Sequence, residues 1–263
     1  MADEQAKKTG EEILAVQRQE ASTEMERPAL GLALSGLSAG LDLGFSFLII
    51  AVLAGLLAET PRPVREIACS FGYSIGFLFV ILGRSELFSE HTTMDILPVL
   101  NGEKTLKSLA RLWVIVFASN LVGAAAFAGA AASLGPSLGL FTPSVLEELA
   151  RPMVCYPAGV LFASSIFAGW LMGLLGWLVA ASKETVSQIL IVFLVTGCIG
   201  LCHFHHCIAG AVDVLAAIFA GGAISWGGFC HFLTFTTLGN AVGGAIFVAL
   251  IKHGHIAFAE TKN

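Results

Sequence analysis

The sequence predicts an all-α membrane protein: six transmembrane helices in two inverted three-helix repeats, with the second and fifth helices broken. Three observations carry that reading. Of 263 residues, 56% are hydrophobic and 13% charged, against roughly 25% charged in an ordinary soluble domain, and the mean hydropathy is +0.82. Six stretches, 29–58, 66–101, 106–135, 153–181, 186–222 and 226–252, each hold the run of about 20 apolar residues that a bilayer core requires. Short matches relate the halves: Asn120-Leu121-Val122-Gly123 to Asn240-Ala241-Val242-Gly243, and Met94-Asp95-Ile96-Leu97 to Val212-Asp213-Val214-Leu215, at nearly one offset. With an odd number of spans per half, the halves must lie in opposite orientations, and sites in such repeats form where the halves meet.

Taken in chain order, residues 1–28 are polar, with Lys7, Lys8, Glu11, Glu12, Arg18, Glu20, Glu24 and Glu26, and they lack the apolar core and cleavage site of a signal peptide. They are expected to form a cytoplasmic tail, partly helical and lying on the membrane surface. This tail accounts for much of the net charge of -5. Residues 29–252 form the six-helix transmembrane domain, and residues 253–263 a second cytoplasmic tail. The Lys/Arg distribution orients the chain. Lys7, Lys8, Arg18, Arg27, Lys104, Lys107, Arg111, Lys183, Lys252 and Lys262 fall on one side and Arg62, Arg65 and Arg151 on the other, so both termini are expected in the cytoplasm.

The first span carries Gly36, Gly40 and Gly44, the fourth Gly169, Gly173 and Gly176, and the sixth Gly239, Gly243 and Gly244. Small residues at this spacing let helices approach closely without lining any path. Asp42, inside the first span, calls for a partner on a neighbouring helix. The six cysteines, Cys69, Cys155, Cys198, Cys202, Cys207 and Cys230, show no zinc-type pair and read as small buried core residues.

The second span is interrupted by the polar run Arg84-Ser85-Glu86-Leu87-Phe88-Ser89-Glu90-His91-Thr92-Thr93, and the fifth by His203-Phe204-His205-His206. Non-helical backbone at membrane depth is tolerated only where protein buries it or where it lines a polar cavity. Half-helices meeting there would aim partial positive charge at whatever sits between them, which favours an anion. Asp95 and Asp213, just past the breaks, are expected to cap half-helices. Asn120 and Asn240 are expected to hydrogen-bond loop backbone. Arg84, Glu86 and Glu90 read first as a scaffold of ion pairs and caps, with Arg84 either pairing Glu86 or supplying positive potential.

These residues resemble the formate/nitrite transporter family, and the resemblance runs from about residue 29 to 252. Gly83-Arg84-Ser85-Glu86-Leu87-Phe88-Ser89 is similar to the family's acidic-Leu-Phe-Thr motif, Phe204-His205-His206-Cys207-Ile208-Ala209 to its Phe-Glu-His-Ser-Ile-Ala motif, and Gly239-Asn240-Ala241-Val242-Gly243-Gly244 to its Gly-Asn-x-x-Gly-Gly motif. The resemblance implies an aquaporin-like, homopentameric channel for small monovalent anions, in a bacterial inner membrane. It makes His206 the central pore residue facing Ser89, Leu87 and Phe88 the cytoplasmic constriction, and Tyr73, Phe77 and Ile199 the outer one, with Ile199 placed by spacing alone. The chain also departs from the pattern. The outer-vestibule lysine of formate channels has no counterpart in Cys155-Tyr156-Pro157-Ala158-Gly159, two family asparagines become Gly173 and Gly210, and the acidic neighbour of the central histidine becomes His205.

An ionisable residue at membrane depth is a functional candidate by default. That places His206 ahead of His205 and His203, because helical spacing cannot aim all three at one axis. Charge is costly to desolvate, so the expected route is proton-linked. A small anion that takes a proton at mid-pore passes the apolar constrictions as the neutral acid, and histidine titrates within physiological reach. The expected partners are the small monovalent anion or its neutral acid and the lipid bilayer, with no nucleic acid, cofactor or metal and no catalytic residue. Two alternatives stand beside this one: a pore for small neutral solutes, and a membrane metal-binding protein or enzyme built on His203, His205 and His206 with Cys202.

Overall fold

The computed structural model describes residues 7–252 and 254–255, so the expected tail at 253–263 lies almost wholly outside the described residues. Every regular element among the described residues is helical. After α1 (Gly10–Glu26), the first half comprises α2 (Ala29–Leu56), α3 (Arg62–Gly83), the short α4 (Phe88–Met94) and α5 (Ile96–Leu100), and α6 (Leu106–Ser137). A surface helix, α7 (Pro143–Val154), leads to the second half: α8 (Ala158–Ala181), α9 (Thr185–Leu201), α10 (Cys207–Phe219) and α11 (Trp226–Val242), which runs on as a π-helical stretch, Gly243–Leu250. Five helices, the last spanning Trp226–Leu250, are long and apolar enough to cross a bilayer, and α9 and α10 are shorter apolar helices. The chain is an integral membrane protein, and both expected interruptions are present. The fourth span begins at Ala158 rather than at 153, because Pro157 opens it and residues up to Val154 belong to α7.

The halves correspond element by element. α2 packs on α6 and α3, as α8 packs on α11 and α9, and the first segments of the two broken spans, α3 and α9, lie against each other. The second segments cross over: α4 packs against α8 and the Gly243–Leu250 stretch, and α10 against α6 and α2. The core is therefore continuous between the halves.

Glycine makes this packing possible at equivalent points. A Cβ on Gly40 would lie 2.1 Å from the Asn120 carbonyl oxygen, and one on Gly169 would lie 2.1 Å from the Asn240 carbonyl oxygen. Gly123 and Gly243 face the Leu37 and Ile166 carbonyls as tightly, at 2.4 and 2.1 Å. The glycines that replace family asparagines are likewise filled by neighbours. A Cβ on Gly210 would meet the Phe232 ring at 2.5 Å, and one on Gly173 would meet Thr93 Oγ1 and Val248 at 2.7 Å.

α4 and α10 begin alike but do not continue alike. Pro98 has no N–H to give to the Met94 carbonyl, so the helix breaks at Asp95 and restarts as α5. α10 carries no proline and runs unbroken through Asp213. Asp95 and Asp213 therefore do not cap the half-helices, as the sequence suggested: Asp95 stands at the break between α4 and α5 and makes no side-chain capping bond, and Asp213 sits about two turns inside α10, past the N-terminal amides a cap would reach.

The polar N-terminal segment forms a docked helix. Thr9 and Glu12 close a capping box at its start, with the Glu12 amide donating to Thr9 Oγ1 at 3.2 Å and the Thr9 amide donating to Glu12 Oε2 at 2.7 Å. Ile13, Gln17, Ala21 and Met25, spaced four apart, form the buried face, which packs on α8, α5, α4 and α6. Pro28 ends the helix by holding Arg27 extended. Lys104 pairs with Glu26 at this end.

Candidate functional site

The two interruptions share one backbone plan. A left-handed residue follows each helix, Arg84 with φ 55° directly after α3 and His203 with φ 52° two residues past the end of α9; these are the non-glycine residues of positive φ among those described. At both ends the next two amides turn back onto the last helical carbonyls. Arg84 and Ser85 donate to Ile81 and Val80 at 3.3 and 3.1 Å, and His203 and Phe204 donate to Gly200 and Ile199 at 3.2 and 3.1 Å. Such a left-handed residue costs on the order of 1–3 kcal/mol and persists only where its surroundings impose it.

Two asparagines hold the backbone that follows each left-handed residue. Asn120 Oδ1 accepts the Phe88 amide at 2.9 Å, while its Nδ2 donates to the Glu86 carbonyl at 2.9 Å and the Gly36 carbonyl at 2.8 Å. Asn240 repeats this with the Cys207 amide at 2.8 Å, the His205 carbonyl at 3.0 Å and the Ser165 carbonyl at 2.9 Å. Each asparagine thus brackets one extended residue, Leu87 (φ -109°, ψ 123°) or His206 (φ -114°, ψ 126°), and presents it at the start of a half-helix.

His206 is 1% exposed. Its Nδ1 accepts the Ala209 amide at 3.1 Å and so caps α10. The proton of the neutral ring then sits on Nε2, which lies 2.5 Å from Ser89 Oγ at the start of α4. The structure thus brings His206 and Ser89, residues from opposite halves, into direct contact. Phe77 presents its face at a right angle to the imidazole, with ring centroids 5.3 Å apart.

The other residues singled out from the sequence sort by position. Leu87 is fully buried, while the Phe88 ring packs on Phe117 and Trp113 of α6 at 4.9 and 6.0 Å. Tyr73 stacks obliquely on Phe77 at 5.1 Å. Tyr73 and Ile199 border a cavity of about 420 Å³ that opens on the face opposite α1. This cavity reaches Asp213 and is ringed by Arg62, Arg65, Glu66, Glu148 and His203. Arg62 pairs with Glu66 at 2.6 Å and Arg65 with Glu148 at 2.8 Å, so both guanidiniums are already matched by carboxylates.

Glu86 pairs with Arg27, not with Arg84, and its amide donates to Ser35 Oγ at 3.1 Å. Arg84 is exposed on the α1 face, near Glu20, remote from the cavity where a vestibule cation would act. Burial, and then the neighbouring Glu24, pushes the Glu20 carboxyl up. Glu90 lies where α4 meets Gly176 of α8 and Gln17 of α1. Asp42 finds its hydroxyl partner on its own helix, Ser38 at 3.2 Å, rather than on a neighbour.

The histidine cluster does not converge. His203 is exposed and lies 3.9 Å from Glu66. His205 is held by Ser164 Oγ at 2.8 Å and donates from Nε2 to the Pro152 carbonyl at 3.2 Å, and His206 points to Ser89. A metal bound jointly by the three does not fit this geometry. Nor are the cysteines core residues as a set: Cys207 is buried and Cys69 partly so, but Cys155, Cys198, Cys202 and Cys230 are exposed.

Sequence reasoning missed Arg27 and Ser35 as partners of Glu86, Ser164 as the partner of His205, and the whole of α1 as a cover over one face. The four-residue spacing of Ile13, Gln17, Ala21 and Met25 was the available signal for the last of these.

Comparisons with known proteins agree with one another. Residues 11–254 match the family described as Formate/nitrite transporter. Inner membrane protein YfdC of Escherichia coli (strain K12) is 30% identical over 243 residues, covering 91% of this chain and 76% of that one. The nitrite transporter NirC of Salmonella typhimurium is 29% identical, covering 84% and 81%. Among solved structures, an FNT family ion channel superposes with a TM-score of 0.85 at 24% identity, covering 92% of this chain and 98% of that one. A pentameric formate channel with formate bound gives 0.76 at 22% identity, covering 88% and 98%. The similarity spans both halves and both interruptions, and the chain belongs to the formate/nitrite transporter family.

Proposed function

We propose that this protein is a homopentameric pore for small monovalent weak-acid anions, each protomer carrying its own path, with passage linked to a proton at His206. The carrying observation is the contact of His206 with Ser89, 2.5 Å apart, where the two half-helices meet between apolar residues of both halves. An anion held there would lie near two helix N-termini, an arrangement that favours negative charge without a buried cation. Leu87 on one side and Phe77 with Ile199 on the other would pass the neutral acid far more readily than the ion. Ser89 would orient the substrate. Nitrite is the named substrate of NirC, and formate is bound in the channel structure; both are small anions of weak acids.

The capping bond refines the proton's route. Neutral His206 holds its proton on Nε2, and losing that proton would create an imidazolate, which is not accessible at ordinary pH. Donation therefore needs a second proton on Nδ1, which would displace the Ala209 amide, or a water held by Nε2–H and Ser89 that gives one proton to the anion as it takes another from bulk solvent entering with the substrate. The second route leaves the α10 cap intact, and we favour it. The Lys/Arg distribution supports a cytoplasmic location for the α1 face and both termini, and the relatives YfdC and NirC support the inner membrane of a bacterial cell.

A second reading has its own observation. The outer cavity carries Glu66, Glu148 and Asp213 against Arg62 and Arg65, so its formal charge does not attract anions. This favours a neutral solute or the protonated acid as the entering species.

The test is flux of formate, nitrite, acetate and a neutral solute of similar size into proteoliposomes, with internal pH recorded, for wild type and His206→Asn. Proton-linked anion uptake that the variant loses supports the proposal. Uptake of only the neutral solute, or unchanged pH dependence in a folded variant, overturns it.

A further inference from the structure

At the α1 face, Glu24, His91 and Asp95 come together from three elements: α1, α4 and the α4–α5 junction. Their ligand atoms all lie within 4.8 Å of one another, the one such group of three His, Cys, Asp or Glu residues among those described. His91 Nδ1 is 2.7 Å from Glu24 Oε2 and 3.9 Å from Asp95 Oδ1. Neither close approach has hydrogen-bond geometry: His91 Nδ1, Glu24 Oε2 and both oxygens of Asp95 are buried without a hydrogen-bond partner. Asp95 is fully buried and His91 6% exposed. The Trp113 indole N–H, beside Asp95, is also unpartnered.

Several unpartnered polar atoms in one place call for a common ligand, because each left bare costs on the order of 1–3 kcal/mol. The donor set defines it. One imidazole nitrogen and two carboxylate oxygens suit a borderline divalent transition ion, Zn²⁺ foremost. Around such an ion, bonds of about 2.0–2.2 Å put ligand atoms roughly 3.3–3.5 Å apart. The observed 2.7 and 3.9 Å separations bracket that value, so small side-chain rotations suffice. The surroundings also draw a cation. Glu20, Glu86 and Glu90 stand near His91, while of the nearby cations Arg27 is held by Glu86, Lys8 by the Ala180 carbonyl, and Arg84 is exposed beside Glu20. Glu24, partly exposed, leaves an approach from the surface.

We propose that Glu24, His91 and Asp95 form a divalent transition-metal site that fastens α1 to α4 across one mouth of the protomer. The site is distinct from the His203, His205 and His206 group, which diverges, and it involves no cysteine. Bound metal would hold the cover helix down, so its occupancy would set how firmly that mouth is closed.

The test uses the purified full-length protein in detergent, stripped of metal and titrated with Co²⁺, then with Zn²⁺ in competition. The expected result is one Co²⁺ per chain, with d–d bands but no thiolate charge-transfer band, displaced by Zn²⁺. His91→Gln should weaken binding by at least about 100-fold, since even groups that merely support a ligand are worth 10–100-fold. Glu24→Gln, at the partly exposed edge and leaving α4 intact, should weaken it too and guards against misfolding of the buried variant. A Cys198→Ser/Cys202→Ser/His203→Ala variant should bind as wild type does. Zn²⁺ should also slow amide hydrogen exchange in α1 of wild type but not of Glu24→Gln. Absence of stoichiometric binding, a thiolate band, or binding lost in the cysteine variant and kept in folded Glu24→Gln would overturn the proposal.

Discussion

The two mouths of the protomer rest on one backbone plan and are finished differently. At each, a left-handed residue follows a helix, an asparagine brackets one extended residue, and a half-helix begins. At the bracketed position one half places Leu87 and the other His206. A little further on, each half-helix carries an aspartate. Asp95 is buried under α1 with His91 and Glu24, whereas Asp213 faces an open cavity of about 420 Å³. The repeat supplies the scaffold, and chemistry enters where the repeat is broken. The same bracket presents an apolar side chain, Leu87, in one half and a polar one, His206, among buried apolar residues in the other. The proline in one half-helix and the cover helix over one mouth complete the asymmetry.

The largest expected effect tests the common plan. Asn120→Leu and Asn240→Leu each leave a buried amide and a loop carbonyl unpaired, while the helical carbonyl that each asparagine also meets keeps its own backbone bond. Both should cost about 2 kcal/mol or more, at 1–3 kcal/mol per unsatisfied group. Thermal unfolding of the two variants in detergent should show losses of similar size; a tolerated change at one position alone would break the equivalence of the halves.

A smaller effect separates the two jobs of His206. In His206→Leu the α10 cap is lost, at about 1 kcal/mol, whereas Asn offers an oxygen to the Ala209 amide and should keep most of it. Both variants should lose proton-linked flux. The comparison sharpens if thermal unfolding ranks the two variants and flux does not. Equal stabilities would mean that the 3.1 Å capping bond carries little.

The smallest effect lies in α1 itself, whose middle and C-terminal end respond to pH in opposite senses. Glu20, pushed up by burial and by Glu24, favours docking below its unfolded pKa and loses that contribution as pH rises through its folded value. Glu26, held down by the hydrogen bond and charge of Lys104, contributes above its unfolded pKa and loses it as pH falls through its folded value. Hydrogen exchange in α1 across pH 3–8 (about the carboxylate range and above) should therefore lose its acid-side response in Glu20→Gln. In Lys104→Ala protection should be lower at neutral pH and unchanged at the acid end. One shared profile for both variants would show that α1 docks through its apolar face alone.

Much of this was legible in the residues because it follows from local rules. The apolar runs set the helices, the polar runs the breaks, and the Asn-x-x-Gly matches the repeat. The asparagines read as loop braces because a buried amide at membrane depth must find backbone partners, and both do. What stayed illegible depended on contacts distant along the chain. Glu86 is paired by Arg27, 59 residues away, in preference to the nearby Arg84, because the left-handed turn at Arg84 sends its side chain outward. Asp95 and Asp213 looked alike beside their breaks, yet one is covered by α1 and the other is not.

Composition and period alone determined a six-span, all-helical membrane protein with interrupted second and fifth spans, since a bilayer admits few other ways to satisfy backbone polar groups. Only the tertiary structure decided what each polar residue meets. It set His206 against Ser89 and turned His203 and His205 away, and it folded a polar N-terminal segment back over Asp95. The direction a side chain takes off a broken helix is set by the helices packed around it, and those arrive from the other half of the chain.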